Sequence, residues 1–119
     1  MRNTLLAILL FAMSALAADV NGNWSGEGVT NGESHSLYFA FRQDGKTLSG
    51  SGGPNASEQL PFQNGKVDGD KIVFDVVPGN KGTIHFELTV DGDTLKGTVV
   101  LRRGEATESG SVTLTKTAI

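Results

Sequence analysis

Apolar and polar residues alternate along most of this chain. Leu37, Phe39 and Phe41 fall on one face, with Tyr38, Ala40 and Arg42 on the other. The same period of two runs through Ile72, Phe74 and Val76, through Ile84, Phe86, Leu88 and Val90, and through Leu95, Gly97, Val99 and Leu101. Alternation of this kind marks half-buried β-strands, and no 3.6-residue helical pattern continues past the first 17 residues. The pattern predicts eight strands, over residues 21–30, 35–43, 46–52, 58–67, 70–77, 82–90, 94–102 and 110–116. Phe62 and Val67 have opposite parity yet both read as inward, so Asn64-Gly65 between them is expected to form a β-bulge that shifts the strand by one residue.

Turn chemistry punctuates these strands at regular intervals. Asn21-Gly22, Asp44-Gly45, Asp68-Gly69 and Asp91-Gly92 recur at steps of 23, 24 and 23 residues, about two strand lengths each. Asp-Gly favours the type I′ turn, whose twist matches that of a hairpin. The same chemistry accounts for most of the likeness between residues 41–50 and 88–97. The expected fold is all-β: an eight-stranded antiparallel up-and-down meander. Closing it into a small barrel removes the two exposed edges of an open sheet. Gly26, Gly28, Gly50, Gly52 and Gly97 suit the coiling that closure demands. A two-sheet sandwich is the alternative.

In a meander the turns alternate between two ends. The Asp-Gly turns gather at one end, where Gly22 and Trp24 are expected to form the barrel floor. The other end is expected to carry longer polar connections, at residues 31–34, 52–57, 78–82 and 104–109. Binding residues tend to sit on loops held by a rigid scaffold and at barrel mouths. The candidate ligand-binding residues are therefore Asn31, Glu33, His35, Asn55, Asn80 and Arg103. His35 shares parity with Leu37 and Phe39, so it points inward next to the open end.

Composition changes the picture in three ways. Residues 1–17 combine a positive start, an apolar stretch from Leu5 to Met13 and the small-x-small sequence Ala15-Leu16-Ala17. They read as a secretory signal peptide rather than a membrane span, which needs about 20 apolar residues. Residues 18–119 are then a single domain, expected to be secreted or periplasmic and monomeric. The absence of cysteine excludes disulfides, Cys metal sites and a Cys nucleophile. Losing Arg2 leaves nine basic residues against 13 acidic ones, a net charge of −4 with no basic stripe. Nucleic acid and anionic membranes are unexpected partners for such a surface.

Asn21-Gly22-Asn23-Trp24 resembles the Gly-x-Trp signature of the calycins, the superfamily of lipocalins, fatty-acid-binding proteins and avidins. That resemblance implies a lipocalin-like barrel in which Trp24 closes the floor and a late-strand Arg packs across its indole. Arg102, Arg103 and Lys116 are the candidates for that cation. Trp24-Ser25-Gly26, the Asp-Gly hairpin of residues 41–50 and residues 68–74 look like a widespread family of small secreted bacterial domains. This second resemblance covers nearly all of residues 18–119 and implies a fold and a setting but no activity.

The inner face is expected to hold Trp24, Leu37, Phe39, Phe41, Leu48 and Leu60, followed by Phe62, Ile72, Phe74, Phe86, Leu88, Val99, Val112 and Leu114. Eight strands enclose an interior that side chains can just fill. The expectation is a filled lower half with a shallow cup above it. His85-x-Glu87 has the spacing of two metal ligands but reads as a solvated outer face, because a site needs a third. Asp68-x-Asp70 and Asp91-x-Asp93 lack the ordered oxygens of a calcium loop, and no metal or cofactor is expected. Asn23 and Asn55 fit the glycosylation sequon, which the bacterial character of the sequence discounts. No catalytic constellation is visible, so the chain is expected not to be an enzyme. It is expected to bind a small apolar or amphipathic ligand, or a glycan, at the open end. The alternative is a protein-binding barrel, such as an inhibitor of a secreted hydrolase.

Overall fold

Nine strands make up most of the described backbone in the computed structural model, which describes residues 19–79 and 82–117. They are β1 (Gly22–Thr30), β2 (Glu33–Asp44), β3 (Thr47–Asn55), β4 (Glu58–Pro61), β5 (Gln63–Asp68), β6 (Lys71–Val76), β7 (Thr83–Asp91), β8 (Thr94–Arg103) and β9 (Ala106–Lys116). The predicted signal peptide and Asn80 lie outside the described residues. Antiparallel pairing runs in the ring β1–β2–β3–β5–β6–β7–β8–β9 and back to β1, closed by the β2–β3 ladder. The predicted closed, eight-stranded meander is therefore the observed fold, with one short strand added to it.

That extra strand comes from the stretch predicted as a single strand over 58–67. It breaks at Phe62 into β4 and β5. β5 holds the ring by pairing with β3 below and with β6, whereas β4 pairs with β3 alone. The predicted bulge is present: the β5–β6 register shifts between Gln63 and Lys66, and Asn64 takes a φ of 59°. The re-aiming works as expected, since Phe62 and Val67 are both buried. Leu60, expected inside, is 43% exposed, because β4 lies outside the closed ring.

Asp44-Gly45, Asp68-Gly69 and Asp91-Gly92 do cluster at one end, where their hairpins close through two-residue connections. Their geometry differs from the expected type I′ turn. Gly45, Gly69 and Gly92 are left-handed, with φ of 62°, 64° and 62°, but the aspartates are not. The residue pair with positive φ throughout, as type I′ requires, is Asn31-Gly32 at the other end, at 51° and 78°. Three of the four connections at that other end are also shorter than predicted. Asn31-Gly32, Ala56-Ser57 and Gly104-Glu105 are two-residue turns, because β3 runs on to Asn55 and β9 begins at Ala106.

What separates the two ends is packing. Trp24 is fully buried at the floor, and its Nε1–H donates to the Val20 carbonyl at 3.0 Å. Val20 is fully buried as well, and the chain before β1 is tied to β2: the Val20 amide donates to Gln43 Oε1 (3.0 Å), and the Gln43 amide donates to Asn21 Oδ1 (2.8 Å). Of the three candidate cations, Lys116 lies over the indole, 5.9 Å from the ring centroid. Above this plug, Phe39, Phe41, Phe62, Phe74 and Phe86 form a continuous aromatic cluster with centroid separations of 4.6–5.8 Å. The lower and middle interior is filled. Glycine permits this dense wall at one clear point: a Cβ on Gly52 would stand 2.3 Å from the Phe39 ring.

Candidate functional site

Above the phenylalanine cluster, among the described residues, the interior opens into two cavities. The larger, about 280 Å³, is bounded by Phe39 below, by Gly52 and Pro54 of β3, by Leu60 of β4 and by Val76 and Pro78. The smaller, about 170 Å³, lies against Gly28 and Thr30 of β1 and Val99 and Leu101 of β8. His35, Leu37, Ile84 and Phe86 line both. The walls are almost entirely apolar; His35 and Thr30 bring the polar side chains.

The strand ladder explains where these spaces lie. β2 and β3 pair only from Tyr38↔Gly53 downward, so the wall parts above that level. β6 ends at Val76, and β4 has no ladder with it among the described residues. The larger cavity sits at this gap. The smaller one lies where β1, β9, β8 and β7 remain paired up to the rim, at Thr30↔Gly110, Val99↔Gly110 and Thr83↔Arg102.

Of the predicted site residues, His35 lines both cavities. Asn31, Glu33, Asn55 and Arg103 are exposed around the same end and line neither. Asn55 serves its own turn: its Oδ1 accepts the amides of Ser57 (3.0 Å) and Glu58 (2.9 Å), and its Nδ2 donates to Glu58 Oε1 (3.1 Å). That is the local Asx-turn chemistry that makes asparagine common in turns. Sequence reasoning placed Leu60 on the inner face but missed Val76, Pro78 and Leu101 as lining residues. Parity marks a residue as inward but does not say at which height the wall opens.

A second polar cluster occupies the outer face of β6 and β7. The register places Asp75 opposite His85. His85 Nδ1 meets Asp75 Oδ1 at 2.5 Å, and its Nε2 meets Glu87 Oε2 at 3.0 Å. Asn64 Nδ2 donates to Asp75 Oδ2 at 3.0 Å. The hydrogen bond to Asp75 raises the His85 pKa; partial burial opposes this and Glu87 adds to it. Partial burial pushes the Asp75 carboxyl up, but hydrogen bonds from His85 and Asn64, with the charges of His85 and Arg102, outweigh it and hold the pKa below its ordinary value. When His85 is protonated, both ring N–H groups can donate to these carboxylates, and that form has no lone pair for a metal or a substrate proton. Among the described residues, no group of three or more His, Asp or Glu side chains is arranged to hold a metal ion. The outer face of β7, expected to be merely solvated, carries a cross-strand tie instead. His-x-Glu spacing within one strand gives no view of its partner; the hairpin register around residues 77–82 is the signal that supplies Asp75.

The tie makes stability depend on pH in a defined sense. The folded His85 pKa lies above its ordinary 6.5, so its contribution is complete below pH 6.5 and is lost as the pH rises through the folded value. The folded Asp75 pKa lies below 3.8, so its contribution is present above pH 3.8 and is lost as the pH falls through the folded value. His85→Gln should therefore flatten the fall in melting temperature on the alkaline side of pH 6.5. Superimposable wild-type and His85→Gln profiles would refute the tie.

Comparison with protein-family models, with curated proteins and with solved structures finds no match to this chain.

Proposed function

We propose that this protein is a secreted or periplasmic binding barrel that holds a small apolar or amphipathic ligand at the end opposite Trp24. The observation that carries the proposal is the pair of apolar cavities above the phenylalanine cluster. Ligand sites are typically concave and mostly apolar, with a few polar groups that fix orientation. The side chains of His35 and Thr30 supply those few. A glycan has less support, because its hydroxyls would face Leu37, Ile84 and Phe86 without partners, and unpaired buried polar groups are costly. The inhibitor reading loses the long projecting loops on which it rested, since three connections at this end are two-residue turns.

A binding role, with no catalytic step, also agrees with the calycin resemblance of Gly22 and Trp24, with Lys116 standing over the indole where that pattern has an arginine. The secreted or periplasmic setting rests on the signal-peptide reading of residues 1–17. Titration with N-phenyl-1-naphthylamine, which fluoresces in apolar surroundings, tests the site. The wild type should bind it in the micromolar range, and Ile84→Asp, a charge placed in the wall common to both cavities, should abolish binding while the fold persists. Equal binding by both proteins, or none by the wild type, sinks the proposal.

A further inference from the structure

In the eight-membered ring, β2 and β7 stand opposite one another, four steps apart in either direction. Their side chains nevertheless meet across the interior: the rings of Phe39 and Phe86 lie 5.2 Å apart in an edge-to-face arrangement. Leu37 and Ile84 follow two residues nearer the rim on the same faces, packed against the core. These side chains mark a septum across the interior, and the two cavities lie on either side of it. The larger lobe lies on the β3, β4 and β6 side, the smaller on the β1 and β8 side.

From this septum we infer that the ligand is two-armed: two small apolar groups, each about one ring in size, joined by a short polar link that crosses beside His35. The inference rests on the binding reading above and specifies its ligand class. An apolar cavity of about 150 Å³ lined by Leu, Ile and Phe holds one benzene. The lobes, at about 280 and 170 Å³, each accept a group of that size. A single long chain is disfavoured, because Phe86 underlies both lobes and the closed aromatic cluster blocks any deeper path. The link has a defined partner in His35, the one polar side chain that lines both lobes. Its ring nitrogens suit a hydroxyl, ether or amide in the link. Access is asymmetric. The larger lobe sits where the β2–β3 ladder ends and β4 stands apart from β6, so one arm enters through the side of the wall.

The test compares 1,3-diphenyl-2-propanol, with two phenyl arms about one hydroxyl, with 2-phenylethanol, which has one. Joining two binding groups raises affinity by about 10²–10⁴-fold when the link spans both sites. Calorimetry on the wild type should therefore find the two-armed compound about 100-fold tighter, at one per chain, and the one-armed compound weak, at two per chain. Leu60→Trp fills the larger lobe and Leu101→Trp the smaller, both at partly exposed positions that tolerate the change. Each variant should reduce the two-armed compound to one-armed affinity and the one-armed stoichiometry to one. A wild-type preference below tenfold, or two-armed binding unaffected by either tryptophan, overturns the two-armed ligand while leaving a mouth binder in place. Failure of the wild type to bind either compound removes the binding reading itself.

Discussion

Replacing Trp24 with alanine should cost about 3–5 kcal/mol of folding stability, the range for removing a fully buried large aromatic side chain. The indole has no exposed surface, and three features converge on it. It fills the floor between β1, β2 and β9. Its N–H satisfies the Val20 carbonyl, which anchors the segment before β1. Lys116 faces it from the directly opposed position on β9. Since domains of this size are stable by only about 5–15 kcal/mol, the variant should sit close to the edge of folding. The expected fall in melting temperature is on the order of 20 °C, read by far-UV circular dichroism, because the chain has no other tryptophan. Trp24→Phe separates the contributions. It keeps most of the apolar burial but strands the Val20 carbonyl, a penalty of about 1–3 kcal/mol. Lys116→Ala should cost only about 0.5–1 kcal/mol, as an exposed cation–π contact does. If Trp24→Ala unfolds within about 1 kcal/mol of the wild type, the floor is not a structural plug.

The floor was legible in the sequence because its determinants are local. Gly22, Trp24 and the Asp-Gly hairpins declare themselves within a few residues, and alternation on an antiparallel sheet converts directly into an inward face. The bulge at Asn64-Gly65 was legible for the same reason: Phe62 and Val67 cannot both be buried without it. The mouth was not. Whether Leu60 is core or rim depends on β4 failing to pair with β6, a relation between strands that neither strand's pattern encodes. The loops misled in a related way. Gly52-Gly53-Pro54 and Ala106-Thr107 read as irregular, yet both extend strands whose partners hold them. Tertiary pairing overrode weak local propensity. His85 repeats the lesson on the outer face, where its partner Asp75 lies across a hairpin.

Phe74→Ala should produce the other large loss, again about 3–5 kcal/mol, with an effect on the site that Trp24→Ala lacks. Phe74 is fully buried and packs against Phe39, Phe41, Phe62 and Phe86 at 4.6–5.5 Å between centroids. Phe39 and Phe86 are also the base of the septum, so Phe74 is the ring that holds the divide between the lobes from beneath. Its removal leaves an apolar void that stays dry and accepts benzene. Because a ligand of the folded state stabilises it by mass action, saturating benzene should restore more of the melting temperature of Phe74→Ala than it adds to the wild type. With the septum unsupported, the preference for the two-armed alcohol should shrink toward that of the one-armed compound even where the protein remains folded. Trp24→Ala, damaged at the floor, should keep that preference at temperatures where it is folded. If both variants retain the full discrimination, the septum does not depend on the phenylalanine cluster. If both lose it, binding follows global stability rather than the local geometry of β2 against β7.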